Sequence, residues 1–288
     1  MKTAVIVHVF YPEFWPELAH CIRNVGDARD IFVTYSDEAS VVGARRDFPD
    51  AHFVRCENRG YDIWPFLKVL QDLKLADYDL IVKLHTKRDI DQDLALNRTW
   101  LADSNWRKLL LSFVLTPRNW RRTLRQLSRP DVGMVADRHL IFDRDVTDSR
   151  FAPTFDRAKA ELERLTGAAV DGELYVAGTM FAARPAALAP LCLRRHAADD
   201  FEPYGGHERE TRAHVMERML GLAVSAAGLR IAAFNGSVGW RRWYYGRSAL
   251  SKLLRLFFCK KVRNWRYTVR ILGVPVCVRR MRRTDKLF

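Results

Sequence analysis

Apolar and polar positions alternate between two rhythms along the first third of the chain. Near-continuous apolar runs occupy residues 3–10, 30–35, 52–56 and 78–84, and stretches with helical spacing fall between them at 16–25 and 62–73. Short, unbroken apolar runs read as strands buried on both faces, and the helical stretches as their crossovers. The pattern predicts an α/β fold: a doubly wound, mostly parallel sheet with right-handed connections. Beyond it, helical spacing returns at 105–127, broken at Thr116-Pro117, then at 154–165, 185–193 and 210–227. Strands are predicted at 131–136, 173–183 and 229–234.

One stretch concentrates the candidate chemistry. Residues 58–89 read as a loop (Asn58, Arg59, Gly60, Tyr61, Asp62), an amphipathic helix and an apolar strand that runs into His85, Thr86, Lys87 and Arg88. Asp62 suits the N-cap of that helix. Open α/β sheets bind ligands at the carboxyl ends of their strands, so a cationic cluster emerging there is the foremost candidate site. Asn58, Arg59 and Asp62 have a plainer reading as turn and cap, and Tyr61 and Trp64 as core aromatics rather than a stacking platform. No GxGxxG follows the first strand and no GxxxxGK[ST] occurs, which disfavours a dinucleotide-binding or P-loop enzyme.

Composition changes the picture mainly through charge. The 288 residues are 48% hydrophobic and 11% aromatic, which excludes disorder for most of the chain. Residues 240–288 hold 15 Lys+Arg and one acid, Asp285, a net +14; the other 33 Lys+Arg are balanced by 33 Asp+Glu. A neutral body, residues 1–239, thus precedes a basic tail, residues 240–288, and the tail is the part that meets an anionic surface. Leu250, Leu253, Leu254, Phe257 and Phe258 share one helical face flanked by Lys252, Arg255, Lys260 and Lys261, the pattern of an interfacial helix. Two apolar runs around Gly273-Val274-Pro275 predict a β-hairpin. An anionic membrane is favoured over nucleic acid, which would leave the apolar face idle. Five cysteines, odd in number and without a CxxC pair, suggest neither zinc nor a disulfide framework and point to a reducing, cytoplasmic compartment. The first residues read as a core strand rather than a signal peptide, and no apolar run nears the ~20 residues that cross a bilayer.

Five motifs in order carry a family resemblance: HVFYPEFWPEL (8–18), ENRGYDIWPFL (57–67), YDLIVKLHTKR (78–88), AGTMFAARPAAL (177–188) and AHVMER (213–218). Together they resemble the rhamnan synthesis protein F family, glycosyltransferase-like proteins of bacterial surface polysaccharide assembly such as O-antigen or capsule. The resemblance implies a sheet like that of the GT-A nucleotide-sugar transferases. It also implies inverting transfer of a deoxyhexose, rhamnose in the first instance, from a nucleotide-sugar donor to a lipid-linked glycan on the inner face of the plasma membrane. Donor-binding positions would be His8, Tyr11, Asn58, Arg59, Gly60, Tyr61, Asp62, His85, Thr86, Lys87 and Arg88, with Gly178, Thr179 and Met180 on the acceptor side. Glu208, Glu210 and His214 are candidates for the base that deprotonates the acceptor hydroxyl, although His207-Glu208-Arg209-Glu210-Thr211 departs from the family's Asp-Gly-Thr-like element. Many such enzymes hold a divalent metal with Asp-x-Asp where this chain has His85-Thr86-Lys87-Arg88. Lys and Arg can neutralise a departing diphosphate directly, so the expectation is metal-independent transfer with no cofactor. The alternative is Mg²⁺ or Mn²⁺ at Asp89, Asp91 and Asp93. A rival reading is a non-catalytic glycan-binding or assembly protein that kept the fold.

Overall fold

The seven residues TAVIVHV form β1 (Thr3–Val9), buried along its whole length, as a largely β-branched, apolar run favours. A computed structural model describes residues 1–88, 94–96, 99–101, 106–144, 152–204, 210–235, 258–263, 266–272 and 274–280. After β1 come α1 (Trp15–Asn24), β2 (Arg29–Tyr35), α2 (Val42–Asp47), β3 (His52–Arg55), α3 (Ile63–Leu70) and β4 (Leu80–His85). The expected alternation is therefore present, with α2 added between β2 and β3. Its six residues, VGARRD, are too short and polar to show a helical stripe.

The chain continues through β5 (Leu94–Leu96), β6 (Thr99–Leu101), α4 (Trp106–Leu110), α5 (Pro117–Leu127), β7 (Val132–Asp137) and β8 (Ile141–Phe142). It then forms α6 (Ala152–Thr166), β9 (Tyr175–Val176), β10 (Phe181–Ala183), α7 (Pro185–Leu188), α8 (Arg212–Ala226) and β11 (Arg230–Phe234). Seven strands make one sheet in the order β11-β7-β10-β4-β1-β2-β3, parallel except for β10, which runs against both neighbours. The chain lays β2 and β3 on one side of β1 and returns to place β4 on the other. The crossover direction thus reverses between β1 and β4, and a crevice opens at their carboxyl ends.

The single strand predicted over residues 173–183 is two strands. Gly178 and Thr179 both take left-handed backbone, with φ of 76° and 53°, which breaks the pleat between β9 and β10. β9 leaves the large sheet and pairs with β8. Helix α8 packs closely over β9 because residue 221 is glycine; a Cβ there would sit 2.4 Å from the Tyr175 Cα.

In the tail, β12 (Phe258–Arg263), β13 (Arg266–Ile271) and β14 (Val274–Arg280) form a separate antiparallel sheet. The expected hairpin is β13–β14. Most of the expected amphipathic helix, residues 250–257, lies outside the described residues. Its predicted end is corrected: Phe258, Lys260 and Lys261 belong to β12, where pairing with β13 along the whole strand overrides the 3.6-residue spacing. Among the described residues no helix is long and apolar enough to cross a membrane.

Candidate active site

Parallel register sets His8 of β1 beside His85 of β4 on one side and Thr34 of β2 on the other. The His8 Nδ1 lies 3.0 Å from the Thr34 hydroxyl, which donates in turn to the Val7 carbonyl. Two residues before His85, on the same face of β4, stands Lys83, only 1% exposed. An ammonium buried in an apolar strand requires a counter-charge, and Asp62 supplies it at 2.5 Å. Thr179 completes the group: its hydroxyl accepts from Lys83 Nζ at 2.7 Å and donates to Asp62 Oδ2 at 2.5 Å. The left-handed turn at Gly178-Thr179 brings that hydroxyl under the crevice.

Asp62 therefore does not cap α3. It occupies the N-cap position, but its side chain makes no capping bond and is committed to Lys83, Thr179 and His85, whose Nδ1 is 3.2 Å away. Burial would raise the Asp62 carboxyl, yet the neighbouring His85 and the Lys83 and Lys87 ammonium groups hold it well below the ordinary carboxylate value. Burial lowers Lys83, with Asp62 opposing. Burial likewise pushes His8 and His85 down to about 4, so both rings are neutral at pH 7. Both imidazoles lie beneath the crevice, 6% and 2% exposed, and do not form its accessible wall.

The crevice rim is made by the residues that follow the strands. Thr86 Oγ1 accepts from the backbone amides of Phe10 and Tyr11, both at 2.9 Å, and its own amide donates to the His8 carbonyl. This stitches the loop after β1 to the end of β4. Lys87 is half-buried and Arg88 exposed, the latter with its guanidinium 4.5 Å from the Tyr11 ring centroid and 3.6 Å from Glu13. The Lys87 charge is felt at Asp62, Lys83, His85 and His214 alike, which makes it the cation common to both sides of the rim.

The loop before α3 carries its own constraints. Gly60 and Tyr61 are both left-handed, φ 61° and 55°, and a Cβ on Gly60 would meet the Phe201 ring at 2.6 Å. Arg59 donates to the Phe201 carbonyl at 3.0 Å and pairs with Asp199, while the exposed Asn58 accepts from the Tyr204 amide through its carbonyl. Arg59 and Asn58 thus tie this loop to the 199–204 segment. Trp64 is core, its indole nitrogen donating to Glu57.

The acceptor-side and base assignments fare unevenly. Met180 is fully buried in the core and offers no surface to a ligand, which corrects its assignment. The Gly178 amide donates to Glu217 Oε1 at 2.9 Å. His214 is half-buried and lowered by burial, with Nδ1 2.7 Å from the Thr211 hydroxyl. Glu210 is exposed with a left-handed backbone, φ 73°, and Glu208 lies outside the described residues. Sequence reasoning missed Lys83, although a lone lysine inside LIVKLH is a signal in itself, because a buried cation announces an unseen partner. It also missed Phe10 and Tyr204, which nothing in the local spacing marks.

The family model for rhamnan synthesis protein F matches residues 1–229. The chain belongs to this family. Its curated relatives include the uncharacterized protein WxcX from two strains of Xanthomonas campestris pv. campestris, 32% identical over 247 residues, 83% of this chain. The chain spans about a third of the length of those relatives, 33%. Among solved structures it is similar to glucosyl-3-phosphoglycerate synthase from Mycobacterium tuberculosis with Mn²⁺, UDP and glucosyl-3-phosphoglycerate: 13% identity, TM-score 0.33, covering 96% of this chain and 89% of that one. A mycobacterial protein is similar at 11% identity and TM-score 0.37, covering 96% and 86%. The fold of this family member is α/β, built on one seven-stranded, mostly parallel sheet.

The expectation of no cofactor is corrected by the same comparison. Solved structures of the mycobacterial synthase contain Mn²⁺ with UDP or UDP-glucose. The described residues themselves do not fit a metal: none of their His, Cys, Asp and Glu side chains form a group of three or more able to hold one. Asp89, Asp91 and Asp93 lie outside the described residues.

Proposed function

We propose that this chain is the transferase unit that moves a deoxyhexose, rhamnose, from a nucleotide-sugar donor to a lipid-linked surface polysaccharide, with inversion at the anomeric carbon. The observation that carries the reading is the pair Lys87 and Arg88 at the mouth of the β1–β4 crevice, seated on the buried Lys83–Asp62–Thr179 group. As the glycosidic bond to the diphosphate breaks, negative charge grows on the leaving oxygen, and two cations on a rigid rim stabilise it without reorganising. Asn58, Arg59, Gly60 and Tyr61 shape the rim beside it. Of the three candidate bases, His214 has the surroundings that suit the role. It is neutral at pH 7, its Nδ1 is fixed by Thr211, and Lys87 lies near enough for its charge to act on it.

Residues 1–239 are the catalytic unit in this reading, and residues 240–288 hold it at the inner face of the plasma membrane. Fifteen Lys+Arg in the tail suit an anionic bilayer, and the exposed Ile271, Leu272, Val274 and Val276 around the β13–β14 turn supply the apolar contact.

Thermal stabilisation by a panel of nucleotide sugars, dTDP-rhamnose included, with and without Mn²⁺, tests the donor site, because a ligand that binds the native state raises the midpoint. A shift that is lost in Lys87→Ala supports the reading. No shift with any donor under either condition overturns it and favours the glycan-binding alternative.

A further inference from the structure

Five aromatic rings run in an unbroken arc around the crevice mouth. Tyr11 and Phe10 stand 4.9 Å apart at the end of β1, Phe10 is 5.4 Å from Tyr204, Tyr204 is 5.7 Å from Tyr61, and Tyr61 is 6.2 Å from His214. The arc therefore spans from the loop that Thr86 anchors to the first turn of α8. Two features separate it from ordinary core. Tyr204 is 48% exposed although it is central to the arc, and Tyr61 is a bulky residue held at positive φ. Strained backbone of that kind persists only where the surroundings over-determine it, here Gly60 packed on Phe201 and the two ties between residues 58–60 and 202–204.

The charge around the arc selects its ligand. Arg88 lies at its Tyr11 end and Lys87 acts across it, whereas Glu202, which accepts from the Arg212 amide, and the exposed Glu210 flank the stretch from Tyr204 to His214. A diphosphate suits the Arg88 end, and the two carboxylates disfavour it at the other. A neutral pyranose suits this second end, since its axial C–H face stacks on an aromatic ring and its hydroxyls donate to carboxylates and to an imidazole nitrogen. We infer that Tyr204 and Tyr61 form a saccharide subsite that receives the terminal sugar of the acceptor glycan and delivers its hydroxyl toward His214. This rests on the transferase reading and deepens it, since it assigns the acceptor to the aromatic arc instead of to the buried Met180.

Saturation-transfer NMR with neutral trisaccharides of rhamnose, mannose and glucose tests it, using the full chain and the variants Tyr204→Ala and Tyr204→Phe. The expected result is transfer to ring C–H protons of at least one trisaccharide, weakened about tenfold in Tyr204→Ala and retained in Tyr204→Phe. An exposed tyrosine can be truncated without unfolding the chain. Equal binding by Tyr204→Ala and the parent, or no trisaccharide binding, overturns the subsite while leaving dTDP-rhamnose stabilisation as a separate measure of the donor site. Loss of the nucleotide-sugar shift in Tyr204→Ala would instead give the arc to the donor and overturn the assignment.

Discussion

The Lys83 ammonium and the Asp62 carboxylate meet 2.5 Å apart beneath the β1–β4 crevice, joining the middle of one strand to the start of α3. Neither charge is tolerable there without the other. Asp62→Asn leaves the buried ammonium without its counter-ion and should lower stability by about 3–5 kcal/mol. The double variant Asp62→Leu/Lys83→Met removes both charges and should recover much of that loss. Urea denaturation of the three proteins measures it, and a double variant no more stable than Asp62→Asn would refute the pairing argument.

Much of the sheet was legible because buried parallel strands write themselves as apolar runs. β1, β2, β3 and β4 all fall within two residues of the positions their hydrophobicity marks. The site was less legible, because its parts come together through tertiary contacts. Thr179 is 117 residues from Asp62, and the left-handed turn that delivers it interrupts a stretch whose apolar pattern reads as one strand. Asp62 shows the same limit, since its position is that of a helix cap and only the distant Lys83 explains why the side chain turns away. Tyr204 joins the arc solely because the 199–204 segment is tied to Arg59 and Asn58.

Stability should fall as pH drops below neutrality. His8 and His85 titrate at about 4 in the folded chain, chiefly through burial, against about 6.5 when unfolded. Above pH 6.5 both states hold neutral rings, and between 6.5 and 4 the unfolded chain takes up protons that the folded chain refuses. Each ring thus contributes about 3 kcal/mol that is present above pH 6.5 and lost by pH 4. Asp62, held below its ordinary value, adds a further loss once pH falls past about 4. Melting temperatures from pH 7.5 to 4.5 should decline steeply, and His85→Gln should flatten the decline by roughly one proton. A pH-independent midpoint over that range would rule the account out.

Gly60 and Gly26 offer a controlled comparison of backbone strain and close packing. Both have positive φ, 61° and 96°, but a Cβ at Gly60 strikes Phe201 at 2.6 Å whereas one at Gly26 meets nothing within 4 Å. Gly26→Ala should lose only the backbone term, about 1 kcal/mol. Gly60→Ala adds displacement of a buried ring and should lose about 2–4 kcal/mol. Because Tyr61 follows directly, it should also weaken trisaccharide binding, which Gly26→Ala should leave unchanged. Comparable losses of stability in the two variants would mean that Phe201 yields freely.

The tail makes a prediction of its own, because its charge and its apolar residues act on a membrane in separable ways. Basic residues near an anionic bilayer contribute up to about 1 kcal/mol each and are screened by salt. Apolar side chains at the hairpin turn contribute through insertion, about 1.5–3 kcal/mol for each one fully buried, and salt does not weaken that. Leu272 and Val274 are 66% and 61% exposed, so replacing both with serine should leave the fold intact. The chain should therefore co-sediment with vesicles containing about 30% anionic lipid and release from neutral ones. Leu272→Ser/Val274→Ser should weaken the binding and leave a remainder that vanishes at high salt, and a chain ending at residue 239 should not bind at all. Unchanged sedimentation of the double-serine variant at every salt concentration would take the hairpin out of the contact. Equal binding to neutral and anionic vesicles would refute the electrostatic half.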